Sequence, residues 1–235
     1  MEMEYRQNET YGQPQIEEQQ GRFGINGFTL KCIAMVCMLI DHTGAVLFPQ
    51  YRILRIIGRL AFPIYCFLLV EGAMHTRNIR KYELRLFLFA LVSEVPFDLA
   101  LFGRIHWEHQ NVFFTLFLGV VTIDLAKRYK NKIMIFIFAI VAILLAEFLH
   151  TDYSGSGIVF IVCYYLMYER KIFRHLMFAV ENILLYGISI QSYASLAALP
   201  MMLYNGRKGP SLKYFFYVFY PLHLLILYLI IRILY

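Results

Sequence analysis

Apolar runs alternate with short polar breaks from residue 28 to residue 235, at roughly 28–48, 53–74, 83–102, 111–126, 133–150, 156–168, 175–190, 193–204 and 214–235. A bilayer core takes about 20 helical residues. The pattern therefore predicts an all-α fold, a polytopic transmembrane helix bundle of about nine spans. The run at 193–204 is too short to cross alone and can pair with its neighbour as a re-entrant hairpin, which widens the expected range to eight to ten spans. Residues 1–27 differ: they are polar, Gln- and Glu-rich, and lack the apolar core of a signal peptide. They read as a flexible polar cytoplasmic tail, with 28–235 as the membrane-embedded domain.

Composition agrees. The 235 residues are 60% hydrophobic and 16% charged, with a mean hydropathy of +0.57, and a soluble domain of that size cannot hide so much apolar surface. Basic residues fall in alternate loops: Arg77, Arg80 and Lys81; Lys127, Arg128, Lys130 and Lys132; Arg170, Lys171 and Arg174; Arg207, Lys208 and Lys213. The intervening loops hold only Arg52 and Arg104, with Arg55 just inside the next span. This asymmetry places the N-terminus in the cytoplasm and the C-terminus outside, in a multi-pass protein of a bacterial cytoplasmic (inner) membrane. It also accounts for the net charge of +6 without a nucleic-acid partner. Cys32, Cys37, Cys66 and Cys163 lie within apolar runs and form no Cys-x-x-Cys, so they read as packing residues rather than a metal site. His106 and His109 read as parts of an interfacial loop, and no metal is expected.

Ionisable residues at membrane depth cost several kcal/mol unless they are partnered. Asp41 and His42 sit side by side in the first run, about 20 Å along it at 1.5 Å per residue. Arg59 in the second run, and Glu94 and Asp98 in the third, reach similar depth. An ion pair of Arg59 with Glu94 or Asp98 that fixes helix register is one reading of them. Lys31, Glu71, Arg85, Asp124 and Arg207 collect toward the cytoplasmic side, where pairing among Glu71, Arg85 and Lys31 would be cheap. His223 lies in the last run, just past Pro221, whose missing N–H frees a carbonyl that can satisfy it.

Several stretches in order carry a family resemblance: LKCIAMVCMLIDHTGAVLFP, LRIIGRLAFPIYCFLLVEGAMHT, RLFLFALVSEVPFDLALF, NVFFTLFLG, ALPMMLYNGRKG and YFFYVFYPLHLLIL. Together they resemble the TraX family of bacterial membrane proteins, from about residue 28 to the C-terminus. The resemblance implies an acetyltransferase, since the founding member acetylates the N-terminus of conjugative pilin. It also links the chain to membrane acyltransferases that modify surface polysaccharides. Those share a basic residue, ten intervening residues and a histidine on the first span, a pattern that reads here from Lys31 to His42. The resemblance thus implies a catalytic role for His42, with Lys31 and Arg85 beside the cytoplasmic entrance for acetyl-CoA.

Acetyl transfer needs a base for the acceptor and donors for the developing oxyanion. On this reading His42 is the base, Asp41 its orienter, and Arg59 or a backbone amide the oxyanion donor. Glu94 and Asp98 complete the candidate catalytic set. Lys31, Arg85 and Arg207 face the phosphates of acetyl-CoA, and Glu71 and His223 are further candidates. The acceptor is a protein N-terminus or a surface glycan on the outer side. Two other classes stay open: a proton-coupled transporter, built from the same buried acids and histidines, and a non-catalytic membrane assembly factor.

Overall fold

The computed structural model describes residues 23–234, and every regular element among them is a helix. They are α1 (Gly27–Val46), α2 (Arg52–Gly58), α3 (Ala61–His75), α4 (Ile79–Phe102), α5 (Val112–Tyr129) and α6 (Lys132–Phe148). Next come α7 (Ser154–Leu166), α8 (Lys171–Tyr186), a 3-10 segment (Ile190–Ala197), α9 (Ala198–Met202) and α10 (Lys213–Leu234). Asparagine starts four of these helices by accepting one of the orphan first-turn N–H groups. Asn26 takes that of Thr29 at 2.9 Å, Asn78 that of Lys81 at 2.9 Å, Asn111 that of Phe113 at 3.0 Å and Asn131 that of Ile133 at 2.9 Å.

Three helical stretches have the length and apolarity to cross a bilayer: Gly27–Val46, Arg52–His75 and Lys213–Leu234. The shorter apolar helices Ile133–Phe148 and Ser154–Leu166 fill out the bundle. Large side chains face outward along α6, with Ile133 67% and Phe148 79% exposed. Helix α8 is polarised inside out. It buries Arg174, His175, Glu181 and Asn182 and exposes Ile172, Leu176, Val180 and Leu184. Polar groups inward and apolar groups outward is the arrangement a hydrocarbon surround demands.

Two predicted spans are built differently from plain helices. The run 53–74 is broken at Arg59–Leu60 between α2 and α3. Pro63 has no N–H for the Arg59 carbonyl four residues earlier, and its ring crowds that carbonyl. The return across 190–202 is made by the 3-10 segment and α9 in place of a full helix, packed against α8 as a hairpin.

The helix ends sort into two groups. One end gathers the start of α1, the end of α3 and the loop before α10. Here Ile25 N–H donates to the Leu203 carbonyl at 2.8 Å and Gly27 N–H to the Arg207 carbonyl at 2.7 Å. Residues 24–27, assigned to the tail from their polarity, are therefore docked on the 203–207 loop through backbone bonds that polarity does not reveal. Residues 1–22 of that tail lie outside the described residues. The opposite end gathers the second half of α1, α2, the end of α4, the start of α5 and the 149–153 loop.

Candidate active site

The Asp41 carboxylate is gripped by two guanidinium groups from the next element. Arg59 Nη2 lies 2.7 Å from Oδ1 and 2.6 Å from Oδ2, and Arg55 Nη1 lies 2.7 Å from Oδ2. Arg55 also donates to the Asp41 carbonyl at 3.0 Å. Arg55 and Arg59 are four apart, which brings them to one face around the α2 corner. The approach depends on Gly58: a Cβ there would overlap the Asp41 carboxylate. Two guanidiniums against one carboxylate leave a net positive charge beside His42.

His42 is held by a different partner. Its Nδ1 lies 2.6 Å from Nε2 of His223 on α10, and His223 Nδ1 lies 2.7 Å from the Phe219 carbonyl. The His223 ring stacks on Phe219 at 4.8 Å and lies nearly coplanar with His42, centroids 4.9 Å apart and planes 18° apart, while Tyr220 meets His42 edge-on at 5.9 Å. Both histidines are buried. The expected orienting of His42 by Asp41 does not occur, because neighbouring residues on a helix point about 100° apart. Asp41 faces α2 and His42 faces α10.

His42, Asp41, Arg55 and Arg59 border a cavity of about 240 Å³. Its far wall is Asp152 and Tyr153 from the loop before α7, with His109, Phe97 and Phe102. That loop is bent through left-handed backbone at His150 (φ 48°), Tyr153 (φ 65°) and Ser154 (φ 43°). Such conformations in non-glycine residues persist only where surroundings hold them. Here Gln110 pairs with the His150 carbonyl and the Asp152 N–H at 3.1 and 2.8 Å, and Tyr153 stacks on Phe62. Burial pushes the Asp152 carboxyl up from its ordinary range, and Arg59 and His109 pull against that shift.

A larger cavity of about 530 Å³ opens from the other end of the bundle. Lys31, Arg85, Lys208 and Lys213 supply its positive charge, and Tyr82, Phe216 and Tyr217 its aromatic walls. Arg85 lies over the Tyr82 ring at 5.4 Å and Lys31 over Phe216 at 5.8 Å. The two cavities share Met38, Tyr65, Val112 and Tyr220, so those four side chains form the partition between them.

The remaining expected residues are placed as follows. Glu94 accepts from the Asn111 side-chain amide and, at 3.3 Å, from its backbone N–H. Asp98 accepts from His106 N–H at 2.8 Å. Neither borders either cavity and neither pairs with Arg59, since both lie on the α4 face turned to the 103–111 connection. Glu71 borders the larger cavity but pairs with Arg174 at 3.3 Å rather than with Arg85 or Lys31. Arg207 sits between two lining residues, Gly206 and Lys208, and is not itself part of the lining. Sequence reasoning passed over Asp152 and Tyr153, placed by the bend of the 149–153 loop, and the partition residues, placed by how α1, α3, α5 and α10 pack. Arg55 carried a usable signal, its four-residue spacing from Arg59.

The model of the TraX protein family matches residues 26–231. The chain belongs to the TraX family. It is 29% identical over 231 residues to the "Probable fimbrial assembly protein FimC, serogroup H1" of Dichelobacter nodosus, covering 86% of this chain and 94% of that one. A shorter match, 53% identical over 38 residues, is to "Uncharacterized protein RP591" of Rickettsia prowazekii (strain Madrid E), 16% of this chain and 15% of the other. No solved structure matches. As a TraX protein with an apolar helical bundle, the chain is a membrane protein, and its two cavities lie within that family region.

Proposed function

We propose that this TraX protein is a membrane acetyltransferase that passes an acetyl group from cytoplasmic acetyl-CoA to an acceptor on the outer side of the bacterial inner membrane. The observation that carries the reading is the pair of cavities meeting at one partition: a large basic one at the end with the basic loops, and a small one built around His42. Coenzyme A is a polyanion, and Lys31, Arg85, Lys208 and Lys213 suit its phosphates. The aromatic walls suit its pantetheine arm, which would bring the thioester to Met38, Tyr65, Val112 and Tyr220. The basic-loop end faces the cytoplasm on this reading.

In the reaction, His42 takes a proton from the acceptor amine or hydroxyl as that group attacks the thioester carbonyl. The tetrahedral oxyanion forms beside the net positive charge of Asp41, Arg55 and Arg59. The C–S bond then breaks, the acetyl group stays on the acceptor, and the thiolate recovers the proton from His42. Coenzyme A never crosses.

The fimbrial assembly name of the Dichelobacter relative supports a fimbrial or pilin subunit as acceptor. It equally favours a second reading, a membrane assembly factor without catalysis. Purified protein in proteoliposomes, given acetyl-CoA labelled in its acetyl group and a pilin-type peptide or an acetylatable glycan, separates the two. Acetyl transfer to either acceptor, lost in His42→Ala, supports the enzyme. Tight peptide binding with no transfer supports the assembly role.

A further inference from the structure

The contact between His42 and His223 determines where each proton sits. A carbonyl oxygen only accepts, so the 2.7 Å contact of His223 Nδ1 with the Phe219 carbonyl requires the proton on His223 Nδ1. Neutral His223 then has a bare Nε2, an acceptor. The atom facing it at 2.6 Å is His42 Nδ1, which must carry a proton to donate. The lone pair of His42 is thereby fixed on Nε2. In water the histidine side chain favours the opposite tautomer, with the proton on Nε2. The bundle has inverted that preference by a relay that runs from the Phe219 carbonyl through His223 to His42.

We propose that His223 is the positioning residue of this site: it holds His42 in the Nδ1–H tautomer and so makes Nε2 its proton-accepting atom. The proposal deepens the acetyltransferase reading and rests on it for its consequence, although the tautomer itself does not. Catalytic histidines are commonly held by a carboxylate. Here the neighbouring carboxylate, Asp41, is occupied by two arginines, Asp152 stands on the far wall of the cavity, and a second imidazole takes the part instead. A neutral partner has a physical merit at this depth, because it places no uncompensated charge in the low-dielectric interior. When Nε2 accepts the acceptor's proton, His42 becomes an imidazolium that still donates Nδ1–H to His223. That proton can also pass to His223 Nε2, spreading the charge over two rings. No bond to carbon changes in this step.

The stacking of His223 on Phe219 and the edge contact of Tyr220 with His42 keep both rings in plane for the relay. Pro221 lies between Tyr220 and His223 on α10, but the carbonyl left open by its missing N–H is that of Tyr217, four residues back; His223 is satisfied by the Phe219 carbonyl instead.

The test is ¹⁵N NMR of histidine-labelled protein in nanodiscs, with His42 assigned by the signal missing from His42→Gln. At alkaline pH, where imidazoles are neutral, His42 should show a protonated Nδ1 and an unprotonated Nε2. In His223→Leu the His42 signals should move toward the Nε2–H tautomer, and transfer should fall by about 10- to 100-fold, the usual cost of losing an orienting partner. His223→Gln offers a side-chain oxygen to His42 and an amide to Phe219, so it should restore the Nδ1–H tautomer and recover most of the transfer lost in His223→Leu. Wild-type His42 protonated on Nε2 overturns the proposal even if every His223 variant misfolds. So does a His223→Leu protein with unchanged tautomer and rate. The Nδ1–H tautomer in a protein that transfers no acetyl group leaves the relay standing and removes the enzyme reading.

Discussion

Asp41 and Arg59 meet at 2.6 Å across the corner where α1 turns into α2, with the backbone of Gly58 pressed against the carboxylate. This contact joins the helix that carries His42 to the broken helix whose end walls the small cavity. Gln191 of the 3-10 segment closes it from the other side by accepting from Arg59 Nη1 at 3.2 Å. One ion pair thus ties three segments together at the level of His42.

Gly58→Ala should disrupt that corner. The added methyl group would overlap the Asp41 side chain, which is confined by Arg55 and Arg59 and has little room to give. Overpacking of this kind costs about 1–3 kcal/mol. The expected outcome is a lower Tm in detergent and loss of transfer, measured beside Gly103→Ala. At Gly103 a Cβ meets nothing, so any cost there comes only from its left-handed φ of 69°. Equal behaviour of the two variants would mean that the close approach at Gly58 has no energetic weight.

The grouping of helix ends predicts the sidedness of the loops. A reporter inserted after Asn205 should read cytoplasmic, because that residue accompanies Ile25 and the basic loops. One inserted after Trp107, in the connection between α4 and α5, should read external. Identical locations for both would contradict the placing of the 203–207 loop and the 103–111 connection at opposite ends of the bundle.

Much of the fold was legible because hydrocarbon imposes a single demand, apolar runs of helical length. The helix starts carried a signal that hydropathy does not weigh, the asparagines that precede α1, α4, α5 and α6. The break at Arg59–Leu60 had its signal in Pro63, four residues on, but a run read by hydropathy alone passes over it. Within the site, Asp41 and His42 stood out as ionisable residues where none is needed for spanning. Their partners did not, because position in a span yields depth and nothing about direction around the helix axis. Arg59, Glu94 and Asp98 share a depth, yet Arg59 turns to Asp41 while the two acids turn to the 103–111 connection. The His42–His223 contact joins positions 181 apart and needs the packing of α1 on α10, which no local pattern encodes.

The donor side predicts a split in kinetic parameters. Arg85→Ala and Lys208→Ala should each raise KM for acetyl-CoA several-fold with kcat little changed, since phosphate contacts act in the ground state and transition state alike. Arg207→Ala should have the smaller effect, because Arg207 does not line the cavity. An unchanged KM in both Arg85→Ala and Lys208→Ala would remove the larger cavity as the donor site.

Glu94→Gln should be a stability variant rather than a catalytic one. Glu94 accepts two bonds from Asn111, the residue that caps α5, and borders neither cavity. Both bonds end on Oε2, so the amide oxygen can keep them, but they pass from charge-assisted to neutral; a loss of about 1 kcal/mol is expected, read as a lower Tm. The rate per folded molecule should stay close to that of the unaltered protein. A collapse in rate at unchanged Tm would return Glu94 to the catalytic set.

His42 itself gives the sharpest outcome. Its imidazole borders the small cavity, and its ring is fixed by α10 through His223. Removing a general base costs about 10²- to 10⁴-fold in rate, whereas a histidine that served only packing would reveal itself by poor membrane yield. His42→Ala should therefore accumulate in membranes near the normal level yet transfer almost no acetyl group. His42→Gln should be equally inactive, because an amide can hydrogen-bond to His223 but cannot take a proton at neutral pH. Asp41→Asn should be milder in chemistry and harsher in folding, since it leaves His42 in place but strips two guanidiniums of their counter-charge. Membrane yield, Tm and labelled-acetyl transfer measured on all three variants separate these roles. A fully active His42→Gln protein would defeat the base-catalysed mechanism and leave the two histidines as a packing contact between the first helix and the last.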